Sequence, residues 1–192
     1  MPVHLHLFTA LFLLLLSATA LAEAQLRVRV EPANSALKSN IEGYIGSLGE
    51  RDAEALQRFR RVAENQAEKA AQALGFYQAQ ITTEVSEGAT PRLTVRIQPG
   101  EPVRLRDVVV RVEGPAAQLR AFRTPNDPQL RSGAQLNHGQ YDAAKREIQN
   151  QASRYGFFAG RFSRQKLTID PEAGVADIEL IYLSGPRYQL GA

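Results

Sequence analysis

Two ten-residue stretches of this chain share one layout: QALGFYQAQI at residues 72–81 and SRYGFFAGRF at residues 153–162. Each ends a helical apolar pattern with a glycine, places two aromatic residues after it, and then opens an alternating run. Glycine adopts the left-handed backbone conformation that ends many helices with little strain. A joint between a helix and a strand is therefore predicted twice, 81 positions apart. The residues predicted to form these two helix-stop joints are Gly75, Phe76, Gly156 and Phe157.

The sequence around the first joint predicts a small α+β unit. QLRVRV (25–30) alternates apolar and polar residues, as a strand with one solvated face does. Two helical patterns follow: the first is expected to have Ser35 as its N-cap and to stop at Gly49, and the second to run from about Asp52 to Leu74. QAQITTEVS and RLTVRIQ then alternate again and predict a hairpin. Three strands whose apolar face is covered by two helices form a complete two-layer unit.

The same order of elements restarts after PGEP (99–102). VRLRDVVVRVEG predicts a strand whose alternation slips near Asp107, which indicates a bulge. PAAQLRAF (115–122) predicts a short helix, and a longer helix is expected to begin at Asn137 or His138. RFSRQKLTI and VADIELIYL predict a closing hairpin. An order of elements repeated in this way indicates a duplicated structural unit.

The final residues, SGPRYQLGA, resemble PGEPVRLRD at the start of the second unit and are predicted to open a third copy. A lone strand cannot bury its apolar face, so the native chain is expected to continue beyond Ala192. The predicted fold class is α+β, with two tandem β-α-α-β-β units, each a three-stranded sheet covered by two helices, plus the first strand of a third. The predicted boundaries are residues 1–24 for a signal peptide, 25–99 for the first unit, 100–184 for the second, and 185–192 for the truncated third. The helix residues predicted to be buried are Leu37, Ile41, Leu56 and Phe59 in the first unit, and Tyr141, Ile148 and Tyr155 in the second.

The N-terminus predicts export. Residues 5–16 form a dense apolar run, and small residues follow it, which is typical of a secretory signal peptide. The run is short for a membrane-spanning helix, although a retained anchor stays an alternative because no Lys or Arg precedes it. Cleavage is expected after one of three alanines, Ala20, Ala22 or Ala24. The mature protein is therefore expected beyond the cytoplasmic membrane.

The composition argues against several classes of chemistry. The chain has no cysteine, so packing alone must hold these exported units. The formal charge is +3 and the arginines are scattered, which argues against nucleic-acid binding and leaves only weak contact with anionic lipid as an alternative. His138 is the only histidine outside the predicted signal peptide, so neither a multi-histidine metal site nor a cofactor is predicted.

A periplasmic hydrolase is the alternative from the enzyme class. Ser132, His138 and Asp142 could in principle form a catalytic set. RSGAQ around the serine is typical of a turn, however, and does not resemble the nucleophile elbow of a serine hydrolase. We therefore predict no catalytic residues and no enzymatic activity.

Several motifs carry a resemblance to a known domain family. In the second unit they are LNHGQYDAAKREI (136–148), YGFF (155–158), TIDPEAGVADIEL (168–180) and SGPRY (184–188). In the first unit they are LGFYQAQI and PGEPVRL. Tandem units of this kind after a signal peptide resemble POTRA domains, the periplasmic modules that precede the membrane barrel of outer-membrane assembly factors. Within that family the resemblance is to the TamA type.

This resemblance implies a non-enzymatic interaction arm attached to a barrel, on the periplasmic face of a Gram-negative outer membrane. The partners that it implies are a TamB-like protein anchored in the inner membrane, unfolded outer-membrane protein clients such as autotransporters, and the chain's own C-terminal barrel, which is absent from the 192 residues. The pore of a two-partner secretion system also carries POTRA units and is the nearest alternative.

The predicted binding surface is a sheet edge. An exposed edge offers main-chain groups to an added strand, whatever the side chains of that strand. The second strand of each unit is more polar than its hairpin partner, which predicts it at the edge and the third strand in the centre. The predicted partner-binding residues in the first unit are Gln78, Gln80, Ile81, Thr82, Thr83 and Val85. A proline at Gln80 or Thr82 is expected to remove a donor from this edge.

The side chains of this strand are expected to divide between two faces. Gln78, Gln80 and Thr82 should point outward, while Ala79, Ile81 and Thr83 should face the helices. A second candidate surface is the basic helix face of Arg58, Arg60 and Arg61, which is expected to face solvent while Phe59 faces the sheet.

Overall fold

The structure, a computed structural model, describes residues 23–189. The predicted signal peptide lies outside these residues except for its last two positions, and residues 190–192 lie outside them as well. Among the helices that the structure describes, none combines the length and the apolar character needed to cross a membrane.

The first unit contains the five predicted elements in the predicted order. They are β1 (Gln25–Val30), α1 (Ser35–Ile45), α2 (Ala53–Ala73), β2 (Gln80–Ser86) and β3 (Arg92–Gln98). The sheet order is β1-β3-β2, with β1 parallel and β2 antiparallel to β3. The third strand is therefore central and the second lies at an edge, as the sequence predicts.

The ends of α1 differ from the sequence expectation. The side chain of Asn34, not Ser35, caps the helix by accepting a hydrogen bond from the backbone N–H of Leu37 at 3.0 Å. The helix ends before Gly46, which has φ 71°, rather than at Gly49. Both predictions were wrong because a residue of equally suitable type, Asn34 or Gly46, comes earlier in the chain and caps the helix there.

The second unit repeats this order with a reduced first helix. Its elements are β4 (Arg104–Glu113), a 3-10 turn (Pro115–Gln118), α3 (His138–Arg154), β5 (Arg161–Asp170) and β6 (Val175–Leu183). The sheet order is β4-β6-β5, and the register of β4 shifts between Leu105 and Val108, which confirms the predicted bulge. The helix predicted over residues 115–122 is wrong in extent, since the backbone becomes extended at Leu119.

Each unit has its own core between the sheet and the helical layer. Leu37, Ile41 and Leu56 are fully buried in the first unit, and Ile148 is fully buried in the second. Tyr141 is buried too. Phe59 and Tyr155, which were also predicted to be buried, are only half-buried at the margins of their cores.

The two helix-stop joints have the predicted backbone conformation. Gly75 has φ 86° and Gly156 has φ 82°. In each case the following aromatic residue donates its backbone N–H to the last helical turn: Phe76 to the carbonyl of Ala71 at 2.9 Å, and Phe157 to that of Ala152 at 2.8 Å. This bond is characteristic of a Schellman motif, and both aromatic side chains are buried.

The joints have a second role, which the sequence did not reveal. The carbonyl of Gly75 accepts a hydrogen bond from the N–H of Val103 at 2.9 Å, and that of Gly156 accepts one from Tyr188 at 2.7 Å. A Cβ on Gly75 would lie 2.6 Å from the carbonyl oxygen of Leu136, and a Cβ on Gly156 would collide with that of Tyr188. Each glycine therefore ends a helix and also admits the backbone of the segment that follows its unit.

The predicted first strand of a third unit is not present in the described residues. Residues 184–189 have no regular secondary structure. Tyr188 occupies the position that Val103 has directly before β4, so an equivalent strand would begin at Gln189 and lie almost wholly in residues 190–192, outside the description. The third unit thus stays a prediction.

Side chains at the junction hold the two units together. The hydroxyl oxygen of Tyr77 lies 2.7 Å from Nε2 of His138, and the Tyr77 ring packs against the core of the second unit. Two amides add bonds: Gln78 donates to the carbonyl of Pro171 at 2.8 Å, and Gln135 to that of Leu74 at 2.6 Å. These contacts tie the last residues before β2 to the second unit.

The dual role of Gly75 predicts an unusually costly alanine substitution. Gly133 supplies a matched control, because its φ of 85° is within a degree of that of Gly75 while the space around it is open. Gly133→Ala should lower the free energy of unfolding by about 1 kcal/mol through backbone strain alone. Gly75→Ala should lower it by roughly 2–3 kcal/mol, because the new methyl group also meets Leu136. Denaturant titration measures both, and equal losses would contradict the role at the junction.

The junction also predicts a pH dependence. Burial lowers the pKa of His138 below its ordinary value, outweighing the opposite effect of Asp142. The unfolded chain therefore binds more protons than the folded one as the pH falls through about 6.5, so stability decreases in that window.

The thermal midpoint should consequently fall more between pH 7.5 and pH 5 for the wild-type chain than for His138→Gln. Glutamine matches the polarity of histidine but does not titrate. The carboxylates are common to both chains and cancel in the comparison. Parallel pH profiles for the two chains would show that His138 is not the titrating group.

Candidate interaction edge on the first sheet

The main chain of β2 presents alternate residues to the outer edge of the sheet. Along a strand, successive residues direct their N–H and C=O groups to opposite sides. In β3, the carbonyl of Ile97 accepts from the N–H of Glu31, so odd-numbered β3 residues bond to the β1 side. Even-numbered β3 residues such as Arg96 therefore bond to β2, where Arg96 pairs with Thr82. The β2 residues whose main-chain groups point away from the sheet are consequently Ile81, Thr83 and Val85.

The side chains of β2 follow the predicted alternation. Gln80 and Thr82 are exposed on the open face of the sheet, whereas Thr83 is buried against α2. Ile81 and Val85 are half-buried and pack against the first core. The residues with outward main-chain groups are thus the ones whose side chains face the helices.

This division into inward and outward main-chain groups corrects two sequence-based expectations. A proline at Gln80 or Thr82 would remove an N–H that bonds to β3 and would disrupt the sheet itself, so these positions cannot report on an added strand. Gln78 is not part of the edge, since it precedes β2 and its side chain bonds to Pro171 of the second unit.

The basic helix face is also different from the prediction. Arg58 forms an ion pair with Glu54, and Arg61 is exposed. Arg60 does not face solvent freely: its Nε donates to the hydroxyl of Thr83 at 3.0 Å and its Nη2 to the carbonyl of Thr83 at 2.9 Å. The helical pattern could not show this contact, because it depends on where β2 lies beside α2.

The strand edges of the second unit are less regular. The register of β5 shifts between Phe162 and Arg164, and the intervening Ser163 bonds through its hydroxyl to Ile181 at 3.2 Å. The outer edge of β4 is paired at Leu105 with residues 133–134 of the loop before α3. Bulges and covering loops discourage the addition of a strand. The regular pairing of β2 makes it the better template.

The open face of the first sheet is basic, and sequence reasoning did not single it out as a site. Arg29 and Arg96 lie on neighbouring strands and flank a shallow cavity of about 140 Å³ together with Gln80, Thr82 and Gln98. Glu84 forms an ion pair with Arg96 at 2.7 Å, and this bond lowers the pKa of its carboxyl. The alternation of arginines in RVRV and LTVR was the signal that could have indicated this face.

Two of the three residues of the possible catalytic set, His138 and Asp142, are engaged in other contacts. Nε2 of His138 lies against Tyr77, and the carboxylate of Asp142 accepts from Lys145 at 3.2 Å. Ser132 is exposed in the loop before α3. Within residues 23–189, no group of acidic or histidine side chains has the arrangement of a metal site.

A known family of domains matches the first unit. Residues 27–99 match the family described as POTRA domain TamA domain 1. Similar solved structures include Haemophilus influenzae BamA POTRA3-5, with TM-score 0.46 and 14% identity over 86% of this chain and 67% of that one. POTRA1-2 of Omp85 from Anabaena has TM-score 0.37 and 13% identity over 87% of this chain and 97% of that one. The N-terminal domain of Omp85 from Thermosynechococcus elongatus has TM-score 0.36 and 20% identity over 83% of this chain and 61% of that one.

These structural similarities are too low to indicate function, and identification depends on the family match and the element order. The matched residues contain nearly all of the first unit, from β1 to the end of β3. The second unit has the same strand order and the same helix-stop joint. The chain therefore carries a POTRA domain of the TamA type in residues 27–99, followed by a second POTRA-like unit.

Proposed function

We propose that residues 25–184 form the periplasmic interaction arm of a TamA-type outer-membrane assembly or translocation factor. The arm binds a partner and guides extended client segments, and it performs no chemistry. The family match of the first unit supports this assignment. The signal segment expected in residues 1–24 agrees with a periplasmic location.

The observation that carries the proposal is the outer edge of β2. Three consecutive outward residues, Ile81, Thr83 and Val85, offer main-chain groups along a strand that is regularly paired with β3. An added strand can bond to them in either direction. Since main-chain bonds depend little on side-chain identity, such an edge suits clients of many sequences.

The partner that we assign to this edge is a TamB-like protein anchored in the inner membrane. The first unit would be the most distal from the barrel, so it is well placed to meet a partner that crosses the periplasm. Unfolded outer-membrane proteins, autotransporters among them, are the proposed clients, because their strands are extended before they insert. The chain's own C-terminal barrel would receive them.

The contacts of the titratable residues support a role without catalysis. His138 is used at the junction between the units, and its lowered pKa follows from burial rather than from a neighbouring nucleophile. The perturbed carboxyls of Glu84 and Asp177 belong to exposed ion pairs with Arg96 and Arg106. Ion pairs of this type account for shifted pKa values without a reaction.

The edge predicts a specific effect of proline at Val85. Proline there removes an outward N–H without breaking a bond to β3, and Val85→Ala controls for the lost side chain. Val85→Pro should bind a purified TamB-like protein at least about fivefold more weakly than Val85→Ala, which corresponds to one main-chain hydrogen bond.

Biolayer interferometry gives the affinities, and circular dichroism must show that both variants are folded. Equal affinities for two folded variants would refute the assignment of the edge. In that case Arg61 and the basic open face of the sheet would be tested next.

A further inference from the structure

Arg60 covers the centre of the proposed binding edge. Its guanidinium lies within hydrogen-bond distance of both the hydroxyl and the carbonyl of Thr83. That carbonyl is one of the outward main-chain groups, so Nη2 stands where the N–H of an added strand would donate. Glu64 accepts from the Thr83 hydroxyl at 2.5 Å and lies 4.0 Å from Arg60. We call these three residues the edge cap.

The edge cap is specific to the first unit. Tyr141 stands before Gly156 at the spacing that Arg60 has before Gly75. The position equivalent to Thr83 is Arg164, which borders the bulge of β5. The second unit therefore interrupts its edge with an irregular backbone, whereas the first covers a regular edge with a side chain. A side chain can be displaced without unfolding the strand.

The neighbours of the edge cap define what an added strand would contact. Ile81 and Val85 lie two residues to either side of Thr83, on the same face, and both are half-buried against the first core. Side chains directly opposite one another on paired strands lie within contact distance. The helix-facing side chains of an added strand would therefore contact apolar Ile81, polar Thr83 and apolar Val85 in turn.

The polar centre favours an acceptor with negative charge. An added strand that bonds to the Thr83 carbonyl frees the Nη2 of Arg60, while Glu64 keeps its bond from the Thr83 hydroxyl. The freed guanidinium has a planar set of donors that matches a carboxylate. Its side chain is 41% exposed, so the resulting pair would be only partly screened by solvent.

We propose that Arg60 selects which strand binds this edge. The selected strand is an extended segment whose helix-facing side chains are apolar, acidic and apolar in turn. Its central carboxylate pairs with the Arg60 guanidinium, which then releases the Thr83 carbonyl. This inference rests on the edge-binding function proposed above and adds the chemistry of the partner to it. It also gives the cap a role in the unbound protein, where it shields the centre of the edge from unspecific pairing.

Three nonapeptide probes test the proposal. The parent is Ser-Thr-Val-Thr-Glu-Thr-Val-Thr-Ser, and the other two carry Gln or Lys in place of the central Glu. Binding is followed by NMR titration of the full 192-residue chain, monitored at the amides of Ile81 and Val85. The wild-type chain should bind the Glu peptide about fivefold more tightly than the Lys peptide, with the Gln peptide between them.

Arg60→Met should abolish this preference and strengthen binding of the Gln peptide, because no cap then competes for the Thr83 carbonyl. Arg61→Met is the matched control: it removes the same charge from an exposed neighbour and should leave the preference unchanged. A preference that disappears equally in both variants would indicate general attraction by the helix and would overturn the role of Arg60.

The remaining outcomes separate this inference from the proposed function. If all three peptides bind wild type and Arg60→Met equally, or if none binds while partner binding still depends on Val85, the edge stands and the selection by Arg60 is refuted. If Val85→Pro leaves partner binding unchanged, the edge itself is refuted, and this inference is refuted with it.

Discussion

The pairing of β3 with both of its neighbours is the interaction on which the rest of the first unit depends. It places an entirely apolar row, Leu93, Val95 and Ile97, beneath the helices and buries it. The same pairing determines which main-chain groups of β2 are used internally and which are left over. In a central strand every main-chain N–H and C=O group is paired, whereas in an edge strand half of these groups remain free. The register with β3 therefore decides both the stability of the sheet and the main-chain surface available for binding.

The helix-stop glycines connect this unit to the next. Because Gly75 has no side chain, Val103, directly before β4, can donate its backbone N–H to the Gly75 carbonyl, and the backbone of Leu136 in the loop before α3 can pack against the same glycine. Tyr77, one residue beyond the buried Phe76, then reaches the second core. One short segment thus ends a helix, closes the first core and positions the second unit. The proposed binding edge of β2 begins shortly after this segment, at Gln80, so its orientation is tied to that of the following unit.

Much of this architecture could be predicted from the sequence because it follows from local pattern. Alternation identified the six strands, and glycine followed by two aromatics located both joints. The sequence could not show whether the main chain of Thr82 or that of Thr83 bonds to β3. The answer depends on how β2 pairs with β3, and local pattern does not give that pairing. The contact of Arg60 with Thr83 was missed for the same reason: the helical pattern predicts a solvated arginine, but the middle of β2 lies within reach of this side chain. At Pro115 the sequence overestimated the length of a helix, because the backbone becomes extended at Leu119 while Ala116 and Phe122 still pack into the core of the second unit.

Amide hydrogen exchange of the free chain, resolved by residue, tests the assigned edge most directly. The amides of Thr82 and Glu84 bond to β3 and should exchange slowly, whereas those of Ile81 and Val85 point outward and should exchange quickly. This alternation of slow and fast amides along five residues is what the structure predicts. Uniform protection from residue 81 to residue 85, or slow exchange at Ile81 and Val85 with fast exchange at Thr82 and Glu84, would contradict it.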